Sequence, residues 1–150
     1  MWNEITNQNE LERFVELFSN FHDSCIKEFK YTSGAFVDKN LIMYPINDKR
    51  NFNIIFQRQF SNPSVVEMEF MGLLKLNMFP ANENYTCEIF EATMLLCDDC
   101  IYWYDSKKIS IDEINDYKGN LICSSKIRWR VADEYIGQQD VFAIKSWKKA

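Results

Sequence analysis

The sequence predicts an α+β domain, in which an N-terminal amphipathic helix is followed by six to seven mostly antiparallel strands. Apolar residues recur at a helical period before residue 20, and from residue 24 onward they alternate with a period of two. The turn signals leave only short connections, which favour antiparallel neighbours because a parallel crossover takes a dozen or more residues. We therefore expect a curved sheet or a two-sheet roll, with the helix over one face or an open end.

The domain is expected to span residues 1–150, because no linker, repeat or low-complexity tract divides the chain. A chain of 150 residues can bury roughly 70% of its unfolded surface, and its 12 Phe, 7 Tyr and 4 Trp predict a core rich in aromatic rings. The predicted parts are a helix at about 8–20, a β-rich body at about 24–144 and a frayed tail, Trp147–Ala150.

The helix is predicted from its first turn. Asn7 is expected to cap it, and Glu10 is expected to reach back in a capping box. The apolar stripe consists of Leu11, Phe14, Val15 and Phe18. Such a short amphipathic helix needs a packing partner.

The predicted strands follow from alternating runs, most of them with apolar residues of one parity, and from segments next to turn signals. These are Cys25 to Tyr31; Val37, Leu41 and Met43; Phe52, Ile54, Phe56, Arg58 and Phe60; Val66, Met68, Phe70, Leu74, Leu76 and Met78; Phe90, Ala92, Met94 and Leu96; Ile101 to Tyr104; and Leu121, Cys123, Ile127, Trp129 and Val131. Gly72 predicts a bulge, Asp98-Asp99 a two-residue hairpin turn, and residues 112–116 an acidic helical turn or loop.

Charge and composition exclude several function classes. A formal charge of −5 disfavours binding to nucleic acid, since an acidic surface repels phosphates. The N-terminus has neither a basic region nor an apolar run, and no stretch reaches the roughly 18 apolar residues of a membrane span. The five cysteines are odd in number, which favours reduced thiols and a cytoplasmic protein. We expect no cofactor.

The segment Phe21-His22-Asp23-Ser24-Cys25 places the chain's one histidine beside an acid and two nucleophile types. However, adjacent strand residues point to opposite faces, so adjacency does not bring these groups into hydrogen-bonding reach. We interpret the segment as a helix-to-strand junction where Asp23 or Ser24 bonds backbone groups and His22 is half-buried. No catalytic set is expected, and an enzyme is the less favoured class.

Cys97 and Cys100 have the spacing of half a zinc site or of a redox motif. Four ligands are needed for structural zinc, and no second pair of this kind occurs, so we expect no metal. The pair brackets a predicted turn rather than opening a helix, which indicates two cross-strand thiols.

Arg58 is the unusual member of its strand face, because a charge among aromatic residues needs a partner or access to water. Either the guanidinium reaches solvent at the strand end, or it sits in a pocket, paired with a carboxylate such as Glu91 or holding an anion. The stripe Lys126, Arg128 and Arg130 is interpreted as a solvated face that balances the acidic total.

Tyr102, Trp103 and Tyr104 are consecutive aromatic residues in one strand. Alternation cannot bury all three on a single face, so some aromatic area is expected near the surface, where it would favour partner binding.

The segment from Phe21 to Ile26, followed by a β-rich body, resembles small single-domain bacterial proteins, some of which resemble the immunity proteins encoded beside polymorphic toxins. The resemblance implies a cytoplasmic, non-enzymatic protein that neutralises a partner toxin by covering its active surface. An acidic domain suits a basic partner of this kind. The candidate binding residues are His22, Asp23, Arg58, Tyr102, Trp103 and Tyr104.

Two alternatives stay open. One is a small-ligand-binding or enzymatic domain with a cavity near Arg58 and His22. The other is an oligomerising domain with the strand of Tyr102 to Tyr104 at its interface.

Overall fold

The computed structural model describes residues 1–139. The predicted end of the β-rich body near residue 144 and the tail Trp147–Ala150 lie outside the described residues. The strands are β1 (Asn3–Ile5), β2 (Ser24–Thr32), β3 (Phe36–Val37), β4 (Met43–Tyr44), β5 (Asn51–Arg58), β6 (Val65–Asn77), β7 (Thr93–Cys97), β8 (Cys100–Tyr104) and β9 (Leu121–Val131). The helices are α1 (Gln8–Leu17) and α2 (Ile111–Ile114), with 3₁₀ turns at Ser19–Phe21 and Asp133–Tyr135.

The α+β class is confirmed, and all strand pairs in the described part are antiparallel. One open sheet has the order β2-β5-β6-β9-β8-β7, and β3 and β4 form a separate small hairpin. Two strands pair with different parts of one edge of β9. β8 pairs with residues 121–124, and β1 pairs with residues 127–129. One isolated bridge joins Ser24, at the start of β2, to Ile89 in the irregular chain before β7.

The helix begins as predicted but ends earlier. The Asn7 side chain accepts the Glu10 backbone N–H at 3.0 Å, while the Glu10 carboxylate accepts the backbone N–H and hydroxyl of Thr6. The reciprocal bond therefore lies one residue upstream of the predicted capping box. α1 ends at Leu17 because Ser19–Phe21 all adopt left-handed φ angles, which turn the chain away from the helix axis.

The core lies between α1 and one face of the curled sheet. Its fully buried members include Phe14, Phe18, Phe21, Phe52, Ile54, Phe56, Met68, Phe70, Trp103, Ile122 and Ile127. Fully burying one such side chain contributes roughly 1.5–3 kcal/mol. The predicted inward faces of β5 and of the first half of β6 are confirmed.

β6 changes face at its predicted irregularity. Gly72 has a φ of 66°, and a Cβ there would meet the Ser125 hydroxyl at 2.5 Å. The register then shifts between Leu73 and Lys75. Because of that shift Leu73 is buried, and Leu74, which we predicted on the inner face, is 56% exposed. The bulge is confirmed, and the single inner face for the whole strand is wrong.

Three further strand predictions need correction. Phe60 lies beyond the end of β5 and is exposed. The run containing Val37 and Met43 is the β3–β4 hairpin rather than one strand of the main sheet. The run before β7 is mostly irregular, so Phe90 is 71% exposed instead of facing inward.

The segment between β8 and β9 covers the second face of these strands. α2 lies in it and begins with a capping box between Ser110 and Glu113, which confirms the acidic helical turn. Ile114 packs with Tyr104, Leu121 and Cys123 in a second, smaller core. We predicted that Leu121, Cys123 and Ile127 would lie on one inner face of β9. Instead, Leu121 and Cys123 lie in the smaller core, and Ile127 lies in the main core.

Within residues 1–139, no helix combines the length and the apolar character that a membrane crossing requires.

Candidate functional site

The helix-to-strand junction is held by Ser24. Its buried hydroxyl donates to the Phe21 carbonyl at 2.6 Å, so the expected backbone bond at this junction is present. His22 Nδ1 lies 3.0 Å from the Asp23 carboxylate, and the His22 side chain is 60% exposed. Our expectation of a half-buried His22 is therefore wrong. Since Ser24 bonds Phe21, no Ser-His-Asp arrangement forms here.

Arg58 is buried, and its guanidinium bonds backbone and hydroxyl oxygens. Nε donates to the Pro63 carbonyl at 2.9 Å, and the other two nitrogens donate to the Ser19 hydroxyl and the Leu17 carbonyl, each at 3.2 Å. The guanidinium carbon also lies 4.5 Å from the centre of the Phe18 ring. Burial lowers the pKa of Arg58, an effect that the nearby Asp133 carboxylate opposes.

These contacts correct the solvated interpretation of Arg58 and the predicted pairing with Glu91. The side chain is neither solvated at a strand end nor paired with Glu91, and among the described residues it forms no ion pair within 4.0 Å. It closes the C-terminal end of α1, where a cation is favourable beside the last helical carbonyls. Sequence parity did not reveal this role because the two acceptors at the end of α1, Leu17 and Ser19, lie about 40 residues upstream in the chain.

The aromatic strand is not an exposed surface. Trp103 and Tyr104 are fully buried and Tyr102 is partly buried. The two faces of β8 are both covered, one by α1 and the sheet and the other by the segment that carries Ile114. Of the three residues, only Tyr102 leaves aromatic area near the surface, so Trp103 and Tyr104 cannot contribute to a binding surface or an oligomer interface on β8 without rearrangement.

The cysteine pair brackets a tight hairpin turn, as predicted. Cys97 and Cys100 are direct cross-strand partners, and Asp98 and Asp99 have left-handed φ angles of 50° and 62°. No disulfide joins the five cysteines, all of which lie in the described part. Burial is the main cause that raises the pKa of Cys123 to about 11. Residues 1–139 contain no group of three or more His, Cys, Asp or Glu side chains positioned to hold a metal ion.

Two arginines of the basic stripe are ion-paired across strands rather than simply solvated. Arg128 pairs with Glu69, and Arg130 pairs with Glu67 at 2.6 Å. The Trp2 ring covers Arg128, with its centre 4.4 Å from the guanidinium carbon. The acidic residues of β6 and the basic residues of β9 are both visible in the sequence. Only the β6–β9 register shows that they lie opposite each other. The charges of Arg128 and Arg130 are therefore neutralised within the sheet, whereas Lys126 has no ion pair within residues 1–139.

A cleft lies beside the Ser24–Ile89 bridge, which forms a seam between β2 and the chain before β7. We call it the seam cleft; its volume is about 1190 Å³. β2 contributes Ile26 and Phe29, the chain between β6 and β7 contributes Phe79 and Phe90, and His22 lies at the junction. Arg58 is not among its lining residues, so this cleft is not the predicted cavity near both Arg58 and His22.

The far wall of the seam cleft is anchored by Asp105. This carboxylate accepts the Tyr117 hydroxyl and, at 3.1 Å, the Asn120 backbone N–H. Burial, followed by the hydrogen bond to Asp105, raises the pKa of Tyr117 to about 12. Asn120 in turn accepts the Phe79 backbone N–H at 2.7 Å, which ties the start of the other wall to this anchor. The cleft is thus bounded by hydrogen-bonded chain.

A second feature, missed by the sequence analysis, is the apolar surface of the β3–β4 hairpin. We call it the hairpin surface; it consists of Phe36, Val37, Leu41, Ile42, Met43, Tyr44 and Ile46, each between 37% and 85% exposed. Phe36 and Tyr44 stack with ring centres 4.8 Å apart. Asp38 accepts the backbone N–H groups of Asn40 and Ile42, which fixes the tip. The hairpin therefore presents apolar side chains on an ordered support.

The sequence matches no protein-family model, and the searches found neither a curated protein nor a solved structure with significant similarity to it.

Proposed function

We propose that this chain is a non-enzymatic protein-binding domain of the immunity type, which neutralises a partner toxin by covering its active surface. The observation that carries the proposal is the hairpin surface, with Leu41 85% and Met43 66% exposed. Contiguous exposed apolar side chains on a folded chain are typical of a contact site for another protein.

The fold itself does not need these side chains to be apolar. The hairpin makes its own two-strand sheet and is absent from the main core. Solvent-exposed turns are normally polar, so seven apolar side chains here oppose solubility unless a partner covers them. Burying one of them on a partner contributes roughly 1.5–3 kcal/mol, and two account for a large part of a specific affinity.

Charge and thiol chemistry support the same proposal. The formal charge of −5 suits a basic toxin surface, because complementary charge speeds association. Five unpaired cysteines fit a reducing compartment, so we place the protein in the cytoplasm, where an immunity protein would meet its toxin. The alternative was a ligand-binding or enzymatic site near Arg58 and His22. His22 does line a cleft, but Arg58 does not, which makes this alternative less favoured.

The proposal predicts that substitutions on the hairpin surface abolish tight binding to the partner. The partner to use is the product of the adjacent gene, co-expressed and purified with this chain. In calorimetry, the double variant L41S/M43S should bind at least about 100-fold more weakly than the unmodified chain, since two buried apolar contacts are lost.

The matched control is L17S/I136S, which changes two other exposed apolar side chains outside the hairpin. It should bind within about twofold of the unmodified chain. The absence of any complex, together with no rescue of growth in cells that make the partner, would count against an immunity function. Equal binding by L41S/M43S would remove the hairpin from the interface.

A further inference from the structure

We infer that residues 141–147 of this chain pair with the free edge of β2 and place apolar side chains in the seam cleft. The occupant of this edge is thus the chain itself, and the bonding mode is strand addition within one molecule. The inference goes beyond the proposed function, because the contact needs no partner protein. The hairpin surface contributes no residue to the cleft, so the two contacts are separate.

The course of the chain after β9 is the first observation. The 3₁₀ turn that follows β9 brings Tyr135 to β5, where it packs beside Ile55 and its carbonyl accepts the Gln57 side-chain amide at 3.2 Å. Three residues later, the Gln138 carbonyl accepts the Lys27 ammonium group of β2 at 3.1 Å. The chain therefore passes from β5 to β2 and lies beside β2 where the described part ends.

The free edge of β2 is the second observation. β2 pairs with β5 along one edge, and within residues 1–139 its other edge carries only the bridge from Ser24 to Ile89. From residue 26 to residue 32 this edge is roughly 20 Å long, which an extended segment of about six residues spans. Residues 141–147 begin three positions after Gln138 and are long enough for that span. Both the length of the segment and its starting point suit this edge.

Apolar side chains left open beside the edge are the third observation. Phe29 and Tyr31 of β2 are 51% and 49% exposed, and Phe90 on the opposite wall of the cleft is 71% exposed. The Phe29 ring lies 5.1 Å from the ring of Phe52, which belongs to the main core. A strand paired with β2 would therefore extend the core face over these rings. Residues 141–144 are Val-Phe-Ala-Ile, an apolar run that supplies the side chains.

The balance of charge favours this uncharged run over a charged segment. The cleft lining and β2 together hold four carboxylates and four lysines, namely Glu28, Glu88, Glu91 and Asp105 against Lys27, Lys30, Lys107 and Lys118. Neither sign is in excess, so the site has no electrostatic preference for a basic or an acidic segment. Because residues 141–144 carry no charge, they can be buried there without an unpaired ion.

Amide hydrogen exchange of the full chain alone tests this contact. The amides of residues 28–32 that point away from β5 should be protected, and in the variant F142S/I144S they should exchange at least about 10-fold faster. The matched control is K148S/K149S, which changes two residues beyond the segment and should leave this exchange within about twofold. Unprotected exchange of these amides in the unmodified chain, or equal exchange in F142S/I144S, would overturn the inference.

Two variants of the described part locate the segment in the cleft. F90S should accelerate exchange at residues 28–32 at least about fivefold, because it removes an apolar wall against which the segment packs. F60S removes a similarly accessible ring outside the cleft and should leave that exchange within about twofold. Equal effects of the two variants would overturn the placement of the segment in the cleft.

The same measurement distinguishes the other occupants. Protection of residues 28–32 that increases with protein concentration would make the occupant a second copy of the chain. Protection that arises only with the adjacent gene product would make it a partner protein. Either result would overturn pairing within one molecule. Neither affects the proposed function, which depends on the hairpin surface and is tested by binding of the partner.

Discussion

Replacing Phe21 with alanine is expected to lower the free energy of unfolding by about 3–5 kcal/mol. Phe21 is fully buried, and its ring centre lies 4.8–5.9 Å from those of Phe14, Phe18, Phe56 and Trp103. It therefore joins α1, the 3₁₀ turn, β5 and β8 in one contact. Alanine keeps the strain of a positive φ at this position, so the measured loss reports the ring alone.

Urea denaturation followed by tryptophan fluorescence measures this effect. Phe60→Ala is the matched control, because that ring is 54% exposed and lies outside the main core. It should cost less than about 1 kcal/mol. Similar losses for the two variants would contradict the packing of the helix-to-strand junction described above.

Replacing Arg58 with methionine is expected to cost about 2–4 kcal/mol of stability. Methionine keeps an unbranched apolar stem but leaves the Leu17 and Pro63 carbonyls and the Ser19 hydroxyl without their donor. It also removes the cation that packs on the Phe18 ring. Arg58→Lys should give an intermediate loss, since one ammonium group cannot reproduce the fork of three donors.

Thermal unfolding of both Arg58 variants checks this role. Arg13→Met changes an exposed arginine of α1 and should stay within about 0.5 kcal/mol of the unmodified chain. If Arg58→Met were as stable as the unmodified chain, the guanidinium would be free for a ligand, and the alternative of an anion-binding Arg58 would return.

The local sequence pattern was sufficient to predict the elements that have one buried face or a characteristic cap or turn. The alternation at Phe52, Ile54 and Phe56 identified β5, and the cap at Asn7 identified the start of α1. Asp98-Asp99 identified its turn because two consecutive left-handed residues are what a two-residue hairpin requires. In each case the deciding contacts lie within a few residues or follow a fixed period.

The failures share a different cause, which is contact between distant segments. Alternation predicted that Tyr102, Trp103 and Tyr104 could not all be buried on one face, but the chain from 105 to 120 covers the second face and buries Tyr104. Arg58 bonds to α1 rather than to a ligand. Phe90 alternates correctly for a strand, yet it lies in irregular chain beside the cleft.

The candidate site was predicted only in part for the same reason. His22 does lie at a cleft, but its partners there come from segments that no short motif links. The hairpin surface was missed because Val37 and Met43 have the parity of an inward strand face. The period of the apolar residues alone does not show whether other segments of the chain pack against that apolar face.

The most direct test of a partner-binding hairpin is amide hydrogen exchange of the full chain, alone and with the adjacent gene product. We predict slowed exchange at residues 36–46 in the complex, and little change across Glu67, Glu69, Arg128 and Arg130, whose charges already pair with one another. Protection over that ion-paired face with unchanged exchange in the hairpin would contradict it.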